Sequence, residues 1–156
     1  MIQSDKNLIL LHPQAKDRQE VIRQLCKLLE EQGCVGPSYC QAVLDREEQY
    51  PTGLPSEGAV AAIPHALSKD VQRTAVAVAV LKDPVIFRNI SDYEEELEAK
   101  LVFLLANAEG AGDHMDTLQD LMGYMSRPQL LLDLRNAESA DAVAEILARA
   151  DSYPEE

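Results

Sequence analysis

Apolar residues along the chain fall into two kinds of run, one spaced like a helix face and one continuous. From Asp17 to Gln32, residues Val21, Ile22, Leu25, Cys26, Leu28 and Leu29 recur at helical spacing and predict an amphipathic helix. Asp17 can cap it with Glu20 three residues on, Gly33 supplies the stop, and Cys26 falls in the buried stripe. A second helix is expected from Ser38 to about Glu48, with Gln41 placed for a capping box. A third runs from about Asp113 to Ser126, ended by Arg127-Pro128, with a short helical stretch around Gln129 to Leu134. Ser139 caps a last helix whose Val143, Ile146 and Leu147 face inward. The continuous runs are shorter. Asn7–Leu11, Ala59–Ile63, Thr74–Leu81 and Leu101–Ala106 have strand length, and the last two lack a polar face, as strands covered on both sides do. Between the second helix and Ala59, the segment Pro51–Gly58 holds two Pro and two Gly and reads as a loop on a constrained path. Helices alternating with buried strands predict an α/β fold, a central sheet flanked by helices on both faces.

Length and composition narrow this picture. The 156 residues suit one domain, taken as residues 1–156, and 46% apolar content can build a real core. Acidic residues number 27 against 14 basic ones, a formal charge of −13, which argues against a nucleic-acid module. Only 4% of residues are aromatic and none is Trp, which disfavours base-stacking platforms. No apolar run approaches the ~20 residues that span a bilayer. The N-terminal residues carry no export signal, so a cytoplasmic location is expected. The cysteines, Cys26, Cys34 and Cys40, are odd in number and form no Cys-x-x-Cys pair, so neither a disulfide framework nor a metal site is expected.

Three histidines carry the candidate chemistry. His12 precedes Pro13 at a strand end and reads as edge structure. His65 follows Ala61-Ala62-Ile63-Pro64 where a buried strand emerges, and in open α/β sheets sites gather beyond strand ends. A neutral imidazole there is a competent nucleophile or base near neutral pH; the alternative is a strand-end ring bonded to a carbonyl. His114 opens the third helix on the face of Leu118, Leu121 and Met125, either capping the core or favouring an anion at the helix start. Arg46, at the end of the second helix, can serve that helix terminus or clamp phosphoryl oxygens beside the Pro51 loop. Thr52 and Ser56 place hydroxyls in that loop, but no nucleophile elbow, Walker A loop or dinucleotide fingerprint is present. The run Glu94-Glu95-Glu96 with Glu98 reads as a solvated face.

Taken in order, Gln41-Ala42-Val43-Leu44-Asp45-Arg46-Glu47, Pro51-Thr52-Gly53-Leu54 and Val60-Ala61-Ala62-Ile63-Pro64-His65 resemble the enzyme IIA domains of the fructose–mannitol class of the sugar phosphotransferase system. The wording of the central segment is most similar to the galactitol branch, and the resemblance covers essentially the whole chain. It implies a single α/β domain with a mixed sheet and a phosphotransferase activity without a cofactor. His65 would accept a phosphoryl group from the phosphohistidine of the carrier HPr and pass it to a cysteine of a IIB component. From there it would reach a sugar, a polyol or hexitol of the galactitol kind, entering through a membrane IIC component. Arg46 matches the arginine beside that histidine, and His114 matches a second histidine of mannitol and fructose relatives. Thr52 matches the hydroxyl residue of the preceding loop, where it could bond to the ring or the phosphate. No IIB- or IIC-like segment lies within the 156 residues, so partners are expected to be met by diffusion. The other reading open at this point is a regulatory module whose phosphorylation at His65 switches protein binding without sugar transport.

Overall fold

A computed structural model describes residues 5–108 and 114–156. After a turn of 3-10 helix at Lys6–Leu8, the first strand, β1, is Ile9–Leu11. Helix α1, Arg18–Glu31, starts where the sequence places it: the Asp17 carboxylate accepts the Glu20 backbone N–H at 2.9 Å. Its end is followed by Gly33 at φ +71°, a left-handed position suited to glycine. Helix α2 is Tyr39–Gln49. The expected capping box at its start does not form. Ser38 instead donates its backbone N–H and its hydroxyl to Asp70, at 2.8 and 2.7 Å, while Gln41 bonds to Asp45. A carboxylate is the stronger acceptor and takes the serine out of its cap role.

The strands depart furthest from the hydrophobic pattern. The Pro51 loop contains a two-residue strand, β2 (Gly53–Leu54), and the strand expected over Ala59–Ile63 is only β3 (Ala61–Ala62). The apolar runs 74–81 and 101–106 are the inner halves of two fifteen-residue strands, β4 (Ala75–Asn89) and β5 (Asp92–Ala106). They pair antiparallel, with a register shift between Val80 and Val85 where Lys82, Asp83 and Pro84 bulge outward, exposed. The exposed carboxylates Glu94, Glu95, Glu96 and Glu98 therefore lie on a strand. Beyond the bulge, the tip of this hairpin returns to β2: Gly53 pairs with Asn89, and the Ile90 N–H donates to the Gly53 carbonyl at 2.9 Å. A Cβ on Gly53 would sit 2.5 Å from the Arg88 carbonyl oxygen, so glycine permits that approach.

The sheet is mixed, as the resemblance implies. β1 runs parallel to β4, β3 parallel to β5, and β2 antiparallel to β3. Helices α3 (His114–Tyr124), α4 (Pro128–Arg135) and α5 (Ala140–Ala148) complete the chain. The Ser139 hydroxyl caps α5 by accepting the Ala142 N–H at 3.0 Å. Alternation along β4 divides the core in two. Ala77, Ala79 and Leu81 face Val21, Leu25, Cys26 and Val43 of α1 and α2, whereas Val76, Val78 and Val80 face Leu121, Leu130, Leu134 and Val143 of the later helices. Both faces are thus covered, which is why neither run shows a polar side.

Candidate functional site

Three of the four singled-out residues meet at one place. Arg46 from the last turn of α2, Thr52 from the Pro51 loop and His65 beyond β3 line a cavity of about 410 Å³. His114 begins α3, but its side chain lies outside the described residues, as does the Asp113 start expected for that helix. Leu118 and Met122 of α3 close one side of the cavity, and Ile90 and Tyr93 at the hairpin tip close another. His12 stands apart at the end of β1, exposed and at φ +52°, its N–H bonded to the Val80 carbonyl.

The backbone around His65 is held on every side. The Leu105 N–H donates to the Pro64 carbonyl at 3.0 Å, and His65 forms a parallel bridge to Leu105. One residue on, the Ala66 N–H donates to the Tyr39 hydroxyl at 3.3 Å, which itself donates to the Leu105 carbonyl at 2.6 Å. Tyr39 is fully buried. Tyr39→Phe removes the bond to the Leu105 carbonyl and leaves the Ala66 N–H bare, an expected loss of about 1–3 kcal/mol in urea unfolding.

His65 Nδ1 lies 2.8 Å from the Ile63 carbonyl oxygen. A carbonyl can only accept, so in the neutral ring Nδ1 carries the hydrogen and Nε2 keeps the lone pair, available to the cavity. Burial, assisted by the charge of Arg46, holds His65 below its ordinary 6.5 despite the opposing bond to Ile63. The ring is thus kept neutral and nucleophilic. The Arg46 guanidinium carbon stands 5.0 Å from the centre of the Tyr50 ring. Among the described residues no carboxylate pairs with Arg46.

Thr52 is differently engaged from what its matching position suggests. Its N–H and hydroxyl both donate to the Glu47 carboxylate, at 2.9 and 2.8 Å, and its oxygen accepts the Ile63 N–H at 3.1 Å. In this structure the hydroxyl thus ties the buried Glu47 carboxyl to the Ile63 backbone, two residues before His65. In the sequence alone Glu47 stands only as the last residue of the Gln41–Glu47 segment, with no role given to it. Its spacing of four from Val43, and of eight from Tyr39, was the available signal, because all three share the buried face of α2.

Burial raises Glu47 from its ordinary 4.5 to about 7, against the Thr52 donors and the Arg18 charge, with Glu48 adding to the rise. Below pH 4.5 both folded and unfolded chains hold this proton; between 4.5 and 7 only the folded chain does. The group's stabilising contribution is therefore lost as pH rises through that window, by about 3 kcal/mol. Urea unfolding at pH 4.5 and pH 7.5 should show this loss relative to Glu47→Gln, a comparison in which the titration of His65 cancels.

The rim of the cavity is apolar and open. Tyr50, Ile90, Tyr93 and Met122 are 53, 43, 49 and 44% exposed, an unusual grouping of large hydrophobic side chains at a surface. A neutral imidazole, an arginine with no carboxylate partner among the described residues and an apolar rim thus meet at one cavity of an α/β sheet. The chain belongs to the EIIA 2 family of the phosphoenolpyruvate-dependent sugar phosphotransferase system, which matches residues 3–150. Members of that family are phosphotransferases. The chain is 32% identical over 149 residues to the fructose-specific EIIABC component of Bacillus subtilis, covering 94% of this chain but 22% of that longer protein. To the mannitol-specific phosphotransferase enzyme IIA component of Enterococcus faecalis it is 30% identical over 146 residues, 91% of this chain and 94% of the relative. The galactitol-specific EIIA component of Escherichia coli matches more weakly, at 26% over 115 residues, 74% of this chain and 75% of that protein. Among solved structures, the complex of enzyme IIAMTL and phosphorylated enzyme IIBMTL from Escherichia coli superposes with a TM-score of 0.79 at 27% identity, covering 95% of this chain and 99% of that one. Among the described residues, no helix is long and apolar enough to cross a membrane.

Proposed function

We propose that this chain is a phosphocarrier in which His65 Nε2 takes a phosphoryl group from the phosphohistidine of an HPr-type carrier and delivers it to the cysteine of a IIB component. The observation that carries this reading is the 2.8 Å bond between His65 Nδ1 and the Ile63 carbonyl, which leaves Nε2 as the nucleophile beside Arg46. Transfer between two imidazoles needs in-line placement and charge stabilisation more than covalent assistance. The donor's P–N bond breaks as P–Nε2 forms, the electron pair of the broken bond remaining on the donor ring. Arg46 is positioned to bind the equatorial oxygens, and the apolar rim suits a partner that excludes water from the transfer. His114 belongs to this proposal as a second histidine near the helix start.

The downstream route, also proposed, leads through IIB to a membrane IIC component in the cytoplasmic arm of sugar uptake. The relatives specific for mannitol and fructose support a hexitol or related hexose over nearly the full chain, and the galactitol resemblance rests on its central segment. The test is to load the chain with phosphoenolpyruvate, enzyme I and HPr, isolate it, and add IIB domains of the mannitol, fructose and galactitol types. The expected result is loss of the phosphoryl mass from the chain and its appearance on one IIB cysteine. A chain that never acquires the mass would overturn the phosphocarrier reading. One that acquires it and yields it to none of the IIB domains would overturn the transport role in favour of a phosphorylation switch.

A further inference from the structure

Glu47, Thr52, Ile63 and His65 form a continuous chain of hydrogen bonds. The Glu47 carboxylate accepts both donors of Thr52, Thr52 Oγ1 accepts the Ile63 N–H, and the Ile63 carbonyl accepts from His65 Nδ1, at 2.9, 2.8, 3.1 and 2.8 Å. Glu47 and Thr52 are 3 and 6% exposed, so none of their bonds competes with bulk water. A hydroxyl has one proton. Above about pH 7, where Glu47 is ionised and can only accept, the carboxylate takes it, so Thr52 turns a lone pair toward Ile63, and the residue whose carbonyl holds the imidazole is fixed at its other end.

From this arrangement we infer that Glu47 is a positioning residue for His65: acting through Thr52 and Ile63, it holds the ring in the tautomer and orientation that present Nε2 to the cavity. The inference rests on the phosphoacceptor role of His65 for its kinetic consequence but not for its structural one. Charged groups around the carboxylate come from two elements, Arg18 on α1, which is paired with Glu48 at 2.9 Å, and Glu48 on α2 itself. Neither touches Thr52 or Ile63 in a hydrogen bond, so among the described residues the relay passes through Glu47.

Two substitutions break the chain at different links. Thr52→Val keeps the shape and removes the hydroxyl. Glu47→Gln keeps the volume but turns an amide N–H₂ toward one of the Thr52 donors, which drives the hydroxyl to reorient. Each folded variant, checked by its backbone amide spectrum, is compared with Thr52→Ser, which restores the hydroxyl. Long-range ¹H–¹⁵N spectra should show His65 of the wild type and of Thr52→Ser as the Nδ1–H tautomer, and a mixture of tautomers in Thr52→Val and Glu47→Gln. In phosphoryl uptake from HPr, the two broken variants should lose about tenfold to a hundredfold in kcat with KM unchanged, and Thr52→Ser should recover most of it. Wild-type tautomer and wild-type kcat in folded Thr52→Val and Glu47→Gln would overturn the relay. A wild-type protein that takes up no phosphoryl group would overturn the phosphoacceptor role, and the tautomer spectra would still decide the relay.

Discussion

His65→Ala is expected to take up no phosphoryl group from phospho-HPr while remaining folded. The ring supplies the nucleophilic nitrogen, and the other described groups of the cavity offer no replacement: Arg46 is a cation, Thr52 has its proton on Glu47, and the rest of the lining carries no thiol or amine. Uptake should fall below detection, a loss set by the assay. Stability should change little, because the side chain is half-buried and its hydrogen bond among the described residues runs to a carbonyl two residues away. The cost of truncation is about 1 kcal/mol. Intact mass before and after incubation with phosphoenolpyruvate, enzyme I and HPr, beside a urea unfolding curve, checks both halves. A phosphorylated His65→Ala chain would move the acceptor elsewhere.

The second large effect is expected for Arg46→Ala, a slowing of transfer by about a hundredfold, the scale on which loss of one charge-stabilising donor acts. Arg46 lies on the cavity wall beside His65, is stacked over Tyr50, and among the described residues pairs with no carboxylate. The stacking on Tyr50 holds the guanidinium at the cavity wall. Its contribution to the end of α2 is about 0.3–1 kcal/mol, so the defect should be kinetic with folding intact. A second readout follows from electrostatics. Arg46 is one of the two causes that hold His65 below its ordinary pKa, after burial. Arg46→Ala should therefore raise the midpoint of the His65 titration, and at mildly acidic pH a larger share of the protein would carry a protonated, non-nucleophilic ring. Unchanged kinetics with an unchanged midpoint would remove Arg46 from the site.

Much of this was legible in the chain because the signals are local. Asp17 with the stripe from Val21 to Leu29, and Ser139 with Val143 and Leu147, carry their caps and their buried faces within one helix. His65, Arg46 and Thr52 lie in three short segments whose order and spacing resemble one family, and folding brings those segments to one cavity. The remainder depends on partners distant in sequence. Ser38 fails to cap α2 because Asp70, thirty-two residues away, captures it. The outer halves of β4 and β5 are strands through their pairing with each other, across a bulge at Lys82–Pro84 and a run of glutamates that lack a strand's hydrophobic alternation. Their return to Gly53 brings Ile90 and Tyr93 to the rim of the cavity, which no periodicity in either segment reveals. The hydroxyl of Thr52 is engaged by Glu47, a carboxylate whose burial shows only when α2 is docked. The same holds for Tyr39, whose hydroxyl is fixed by a carbonyl sixty-six residues later.

The nitrogen that carries the phosphoryl group is the point on which the site geometry commits itself most sharply. With uniformly ¹⁵N-labelled protein phosphorylated through HPr, long-range ¹H–¹⁵N and ³¹P spectra identify the phosphorylated residue and its nitrogen in one sample. The phosphoryl group should be found on Nε2 of His65, with Nδ1 still protonated against the Ile63 carbonyl. A phosphoryl group on Nδ1, or on any residue other than His65, would contradict the arrangement of Ile63, His65 and Arg46 as the acceptor site.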